Sequence, residues 1–466
     1  MITFQDLEAC TSEDERMEFV YSSIQKHKTS ERVKNARIAR KYYNHRNPTI
    51  ESYERILYKL TGEAVVDETR SNYKVENNMF FGFVTQQTQF LLGNGITWAS
   101  GKRPESLGDD FEEKVKEAAE ESQIGGVAYG FFNLDHIEIF KVEEFAPIED
   151  EIDGAMKAGI RYWQVDPQKP LRATLYELDG YTEYILKSGE GEVLHEKRPY
   201  IIAYRGTEID GMEIYAGENY PGFPIVPFWG QKSKESLLVG NREALDAYDL
   251  IKSGLCNDID EAQEVFWLIQ NAGGMDEVDL AKFLDQIRRV KAAVVDEDGA
   301  RAEPHTLDIP YQARETILAR LEADLFRDFM AFDPRNIASG SATATQIRAG
   351  YEFLNSKTDH FEYYTTMFIT GILEIAGIDD EPSYTRSMIV NRSDEISVVL
   401  SAASYLPNEY VTKKILTILG DADMIDDVLD QMAAEELERM RMNVELLGQM
   451  DGQTASDSRG GAEESV

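Results

Sequence analysis

Carboxylates are the side chains with which this sequence has the most scope for chemistry. Asp258, Asp260, Glu261 and Glu264 crowd the end of a helical pattern, the raw material of a divalent-metal site or a metal-dependent nuclease. They lack the oxygen-ligand loop and turn glycine of such a site, so they read as a solvated acidic face. Asp296-Glu297-Asp298-Gly299 reads as a hairpin turn before it reads as a Ca²⁺ loop. His27, His45, His136, His195, His305 and His360 include no two at metal-ligand spacing, and neither Cys10 nor Cys256 has a companion for a zinc site. Gly93-Asn94-Gly95-Ile96-Thr97-Trp98 begins like a dinucleotide fingerprint, but Trp98 holds the third glycine position and a helix precedes it. No phosphate-cradling G-x-x-x-x-G-K-[ST] loop and no G-x-S-x-G elbow occurs. The expectation is a protein with no catalytic residues, no metal and no cofactor.

Composition narrows the rest. The 466 residues carry 48 Lys+Arg against 85 Asp+Glu, a net charge of −37, which excludes a domain that grips nucleic acid through its phosphates. Hydrophobic residues at 42% supply enough apolar surface for cores, and the length suggests about three lobes. Two distant cysteines fit a reducing compartment and read as small core residues. The acidic start has no apolar signal region, and no apolar run is long enough to span a membrane, so a soluble protein made in a cytoplasm is expected.

The elements follow from periodicity. The first 60 residues read as helix, with Val33, Ala36, Ala39, Tyr42 and Tyr43 on one face. Lys26, Lys28, Arg32, Lys34, Arg37, Arg40, Lys41 and Arg46 make this the one strongly basic stretch. A helix carrying Phe80, Phe83, Val84, Gln87 and Leu91 ends at Gly93, which suits a left-handed cap, and a further helix spans about 110–122. From Gly126 to Phe228, runs such as VAYGFFNLD, HIEIFKV, GIRYWQVD, ATLYELDG, YTEYILKSG and EGEVLHEK predict an antiparallel sheet lobe. NYPGFPIVPF, with three prolines, reads as an extended linker closing it.

A strong helix then runs from an Asn241 cap to about Gln263, with Leu245, Tyr248, Ile251, Leu255, Ile259 and Ala262 on its face. EVFWLIQN reads as a strand, DEVDLAKFLDQIRR as a helix, and VKAAVV with ARAEPHTLDI as a hairpin about the 296–299 turn. Pro310 opens another long helix faced by Ile317, Leu321, Leu325 and Phe329, flanked by Leu318, Phe326 and Met330. Two long helices therefore bracket a small α/β insertion, as an antiparallel stalk with a domain at its tip. FDPRNIASGSA is a turn-rich loop. The helical run from Thr343 to Gly377 is long enough to expect a bend near Gly350, Asn355 and Ser356. SMIVNR reads as a strand, and VTKKILTILG and MIDDVLDQMAAEELERMRMNVELLG as helices, with residues 451–466 disordered.

Several stretches carry a resemblance when taken in this order. They are Lys41-Tyr42-Tyr43-Asn44-His45; Asn77-Asn78 running to Leu91-Leu92-Gly93-Asn94-Gly95-Ile96-Thr97; Tyr129-Gly130; Ile160-Arg161-Tyr162-Trp163; Ile225-Val226-Pro227-Phe228; Leu245-Asp246-Ala247-Tyr248-Asp249; and Ser339-Gly340-Ser341-Ala342-Thr343-Ala344-Thr345-Gln346-Ile347. The ordered set resembles the portal proteins of tailed bacteriophages, of the long-tailed siphophage type. Gly95 stands where that family usually has proline.

The resemblance implies an α+β portal fold. Its parts would be a mixed wing over 1–235, stem helices at 236–264 and 309–331, and a small α/β clip at 265–308. A tunnel loop at 332–342, a long kinked tunnel helix returning to the wing at 343–400, and a helical crown at 401–450 would follow. It implies a ring, twelve-fold in the virion, at the capsid vertex around double-stranded DNA. Phe332, Asp333, Pro334, Arg335, Asn336, Ser339, Gly340, Ser341, Thr343 and Gln346 would face that DNA. Phe266, Trp267, Asp296, Glu297, Asp298 and Arg301 of the clip would dock the terminase large subunit, and later a head-completion or adaptor protein. Major capsid and scaffolding proteins would touch the wing.

Physical chemistry adds two expectations. A conduit that must not hold its cargo has reason to be acidic, because counterion release turns a basic lumen into a trap. Twelve copies carry a formal charge of about −444, so their contacts must be extensive and apolar or charge-matched, and Arg37, Arg40 and Lys41 are the candidate subunit contacts. Arg335 is the loop residue placed to touch a phosphate. An acidic scaffold that never forms a channel, and the metal nuclease, are the alternatives.

Overall fold

Short polar caps begin the first four helices. In this computed structural model Thr3 and Ser12 form capping boxes before α1 (Phe4–Glu8) and α2 (Glu13–Lys28), and Ser30 caps α3 (Glu31–Tyr43). Asn47 caps the short α4 (Pro48–Glu51) with its side-chain oxygen. The structure describes residues 3–58, 62–68, 70–187, 190–207, 213–261, 266–270, 278, 301–305, 311–336, 344–387, 392–419 and, except 426 and 436, 424–442. Val33, Ala36, Ala39 and Tyr42 are buried, as their spacing predicts. The helical reading of the first 60 residues is too long, because the chain turns after Glu51 into a hairpin of β1 (Ile56–Tyr58) and β2 (Ala64–Val66).

Helix α5 (Met79–Leu92) ends as expected, but not by the expected geometry. Gly93 is right-handed at φ −63, and the left-handed glycine is Gly95 at φ 81, where the amide bonds back to Leu92 O and turns the chain into β3 (Ile96–Trp98). Helix α6 (Phe111–Gly125) ends on the left-handed Gly126. That residue must be glycine for a second reason, since a Cβ there would lie 2.8 Å from the Glu235 carbonyl carbon.

Among the described residues the expected antiparallel sheet lobe consists of three sheets. β4 (Val127–Asn133), β5 (His136–Lys141) and β13 (Ile225–Trp229) form the first, in the order β13-β4-β5. The second is β10-β9-β8-β7-β6, built from β6 (Phe145–Glu149), β7 (Met156–Trp163), β8 (Leu171–Glu177), β9 (Gly180–Lys187) and β10 (Glu190–Arg198). Among the described residues β11 (Ile201–Thr207) and β12 (Glu213–Glu218) form a two-stranded sheet. The proline-rich stretch expected as a linker is therefore strand β13, in register from Ile225 opposite Phe131 to Trp229 opposite Val127. Pro227 is tolerated because β13 is an edge strand.

Alternation along the five-stranded sheet gives it two different faces. Ile160, Tyr162, Ala173, Leu175 and Tyr184 pack with Val20 and Ile24 of α2. Phe145 and Tyr176 point the other way, into a core with Tyr129, Phe131 and Phe140 of the three-stranded sheet.

Helices α7 (Arg242–Glu261) and α8 (Tyr311–Asp328) form the expected antiparallel pair. Leu245, near the start of α7, shares a core with Leu325, near the end of α8, while Asp258 and Arg314 pair at 2.5 Å at the other ends. Between them β14 (Phe266–Gln270) pairs with β15 (Arg301–His305), Phe266 opposite His305. The expected insertion helix and the hairpin partner at 290–295 lie outside the described residues, apart from helical Val278.

The long helical run breaks at Tyr351 into α9 (Ala344–Gly350) and α10 (Glu352–Ala376), and Gly377 closes α10 in the left-handed region. β16 (Pro382–Tyr384) then pairs with β3. That strand precedes the predicted SMIVNR, of which 388–391 lie outside the described residues. Met1–Pro334 with Gly350–Ser387 form one compact unit, and Arg335–Ala349 with Met388–Val466 form another. In the second, α11 (Arg392–Ala402), α12 (Asn408–Leu419) and helical residues 427–435 and 437–442 confirm a helical end. Cys10 and Cys256 are half-buried, not core residues. Among the described residues, no helix is long and apolar enough to cross a membrane.

Candidate functional site

The helix pair is fastened to the rest of its unit by a polar stripe. Asp246, Asp249, Ser253, Asn257 and Asp260 recur on α7 at helical spacing. Asp249, 1% exposed, accepts from Asn47 Nδ2 at 2.9 Å and Asn77 Nδ2 at 2.7 Å, and burial raises its pKa. Ser253 Oγ accepts the Val75 amide at 2.9 Å, Asn257 Oδ1 accepts the Tyr73 amide at 2.6 Å, and Asp260 accepts from Ser71 Oγ. Asp246 accepts from Tyr42 and from Thr49 Oγ1. The extended chain from 71 to 77 is thus hydrogen-bonded along α7.

This stripe also disposes of much of the acidic cluster read from the sequence. Asp258 is paired with Arg314 and Asp260 with Ser71, while Glu261 and Glu264 side chains lie outside the described residues. Among the described residues no group of His, Cys, Asp or Glu has the arrangement to hold a metal ion.

Apolar contact completes the attachment at one end of the pair. Phe329 stacks on Phe83 of α5 with ring centroids 4.4 Å apart, and Leu325 and Leu245 are fully buried beside them. Ile317, expected in the buried face of α8, is 48% exposed, as is Ile259 of α7 at 50%. Both lie toward the end of the pair that carries β14 and β15.

Beyond α8 the chain enters the predicted loop through a packed root. Met330 adopts a left-handed φ of 51. Gln86 holds both backbone groups of Phe332, whose ring lies parallel to Tyr351 at 4.0 Å, and Tyr351 in turn stacks on Phe90 at 5.6 Å. Gly350 lies beneath this stack, where a Cβ would approach the Phe332 ring to 3.2 Å. Lys357 Nζ donates to Phe329 O at 3.0 Å, satisfying a carbonyl at the end of α8, and desolvation pushes its pKa down to about 7.

The candidate residues therefore separate. Phe332, expected in the exposed loop, is 3% exposed and belongs to the root. Asp333 is half-buried, Pro334 and Arg335 are exposed, and Pro334–Asn336 form a 3₁₀ turn. Gln346 is exposed on α9. Ser339, Gly340, Ser341 and Thr343, with Asp296, Glu297 and Asp298, lie outside the described residues. Phe266 and Trp267 lie on β14 opposite His305 and Pro304, and Arg301 opposite Gln270.

Of the basic candidates, Arg37 and Lys41 are exposed, but Arg40 is neutralised within its own chain. Its guanidinium lies 2.6 Å from Glu121 and 2.7 Å from Glu143, with Lys141 3.3 Å from Glu121. These two carboxylates hold its pKa above the usual arginine range against the cost of burial. Sequence reasoning missed the Gln86 and Lys357 contacts and the partners of the α7 stripe; the stripe's spacing was its only visible signal.

Fold and site together define a mixed α/β protein built around a fastened helix pair and a clamped loop root. The chain belongs to the family described as phage portal protein, SPP1 Gp6-like, which it matches over residues 22–441. It is 23% identical over 332 residues to the portal protein of Clostridium phage phiCD119, covering 66% of this chain and 72% of that one. It is 24% identical over 348 residues to the portal protein of Bacillus phage SPP1, covering 69% of this chain and 65% of that one. Among solved structures it is similar to a chain in the neck of the native GTA particle, with TM-score 0.42 and 13% identity over 73% of this chain and 89% of that one. A chain of the native gene transfer agent virion gives TM-score 0.44 and 12% identity over the same shares.

Proposed function

We propose that the chain assembles as a ring, twelve-fold in the virion, forming the channel at a phage capsid vertex through which double-stranded DNA is packaged and later ejected. The observation that carries this reading is the family match over 22–441, which spans the helix pair, its strand-bearing insertion and the loop root. In this reading α7 and α8 are the stem, and the insertion with Phe266, Trp267 and Arg301 is the clip. The clip docks the terminase large subunit during filling and a head-completion or adaptor protein afterwards. Residues 1–235 form the wing, which meets major capsid and scaffolding proteins during assembly in the host cytoplasm. Residues 401–450 form the crown.

The loop after Phe332 faces the DNA. Arg335, exposed at its start, is the cation offered to passing phosphates, while the net charge of −37 keeps the wall from holding the cargo. Native mass spectrometry and negative-stain images down the axis test the ring. Twelve chains of 52.9 kDa, roughly 630 kDa, are expected, and a protein that stays monomeric at high concentration overturns the reading. R335A tests the loop, since normal rings with unchanged packaging would remove it from DNA contact.

A further inference from the structure

We propose that in the ring the exposed cations of α3 in one subunit, Lys34, Arg37 and Lys41, seat on an aromatic–carboxylate basin around Glu183 and Trp163 of the next. The proposal rests on the ring reading above and supplies it with a contact.

The first observation is an uncompensated positive patch. Lys34, Arg37 and Lys41 are exposed at i, i+3 and i+7, one face of α3 spanning roughly 10 Å, with exposed Lys26 nearby at the end of α2. Among the described residues none of these cations has a carboxylate ion-pair partner, while Arg40 on the same helix has two. Arg37 donates to the Lys28 carbonyl at 3.3 Å, so the last turn of α2 and this face of α3 form one cationic surface. The crowding is felt locally: after burial itself, Arg32 and Arg37 help push His27 down to about 4, and Arg37 helps lower Lys28. In a chain with 85 acids such a patch is an exception that needs an anionic partner.

The second observation is a complementary basin. A cavity of about 230 Å³ is walled by Trp163, Tyr181 and Tyr200 and carries Glu138, Glu183 and Arg161. Glu138 is occupied, by Arg161 at 2.9 Å and Asn133 Nδ2 at 3.1 Å. Among the described residues Glu183 has His195 Nε2 at 3.7 Å as its ion-pair partner, so one carboxylate is in excess of the internal Glu138–Arg161 pair. A spare carboxylate among aromatic faces is the chemistry that receives an ammonium or guanidinium on an apolar stem.

The third observation is placement. Tyr162 of β7 faces α2, where His27 Nδ1 lies 2.9 Å from its hydroxyl and Lys28 lies over its ring. Arg161 and Trp163, its neighbours in sequence, face the basin, and so do Thr174 and Glu183 while Leu175 and Tyr184 pack with α2. The α2 end of the cationic surface meets the Tyr162 face of the sheet, and the basin opens from the other face, so donor patch and acceptor basin share no residue. A head-to-tail ring joins two different surfaces of the same chain, and separate patch and basin let every copy be donor and acceptor at once.

Assembly of the full chain is followed by native mass spectrometry and light scattering across salt concentration. K34E/R37E/K41E and E183K should each raise the protein concentration for half-assembly by about tenfold or more at low salt, while melting like the wild type. E183K combined with K34E, R37E or K41E should restore assembly in at least one combination. Wild-type rings with both variants unaffected, or no rescue in any combination, overturn the contact and leave the ring reading standing. A wild type that never associates overturns both. Duplex DNA binding that needs the three cations while rings stay intact also overturns the contact and assigns the patch to nucleic acid.

Discussion

Gln86 and Phe332 meet as amide on amide: Gln86 Oε1 accepts the Phe332 N–H at 2.9 Å, and Gln86 Nε2 donates to the Phe332 carbonyl at 2.8 Å. One side chain from α5 thereby completes both backbone groups of the residue at which the loop begins. Q86L leaves a buried donor and a buried acceptor unpaired, at a cost of about 2–4 kcal/mol in urea unfolding. A loss below about 0.5 kcal/mol would show that water replaces the clamp.

Lys357 makes stability depend on pH on the alkaline side. Its pKa is pushed from the ordinary lysine value down to about 7 in the folded chain, so the unfolded chain binds the extra proton. Its contribution is present above the unfolded value and is lost as pH falls through about 7. K357M should flatten the stability–pH curve of the wild type between pH of about 7 and about 10, measured by urea unfolding at several pH values. Parallel curves would refute the assignment.

Asp249 acts with the opposite sign. Burial raises its pKa in the folded chain, so its contribution is complete below the unfolded carboxylate range and is lost as pH rises through the folded value. D249N should weaken that acid-side dependence, and D249A should cost about 2–4 kcal/mol, because Asn47 and Asn77 lose their acceptor. Chemical denaturation from acid to neutral pH reads both.

Arg40 and Arg37 should part in mutation. R40A strands Glu143, 12% exposed, and leaves Glu121, 11% exposed, with Lys141 alone, and should cost about 3–5 kcal/mol. R37A should change stability by less than about 0.5 kcal/mol. Equal effects would contradict the geometry.

Gly126 carries φ 85 with the Glu235 backbone close against it. G126A combines a left-handed alanine with a backbone clash and should destabilise by about 2–4 kcal/mol in thermal or urea unfolding.

Local periodicity made much of the fold legible. The buried face of α3, the α7–α8 pair and the break near Gly350 all follow from spacing or a single residue type. What escaped depends on distant partners. Nothing within NYPGFPIVPF announces that Val127–Phe131 will pair with it, and Gly93 and Gly95 are equal candidates for a left-handed turn until the chain must reach β3. Arg37 and Arg40 are the same residue one turn apart. Only the approach of Glu121 and Glu143, from α6 and the turn after β5, separates the exposed cation from the internal one. Likewise the α7 stripe shows its spacing but not the main-chain amides it meets.

Those amides give the stripe a mechanical meaning. Asp249, Ser253 and Asn257 advance by four residues, about 6 Å along a helix, while their partners Asn77, Val75 and Tyr73 step back by two, about 6.6 Å along an extended chain. The two pitches mesh like rack and pinion. A one-residue insertion between Tyr73 and Val75 puts teeth against gaps, while a two-residue insertion moves only to the next tooth. Axial load on the α7–α8 pair is therefore met by discrete steps, where a greasy contact would creep.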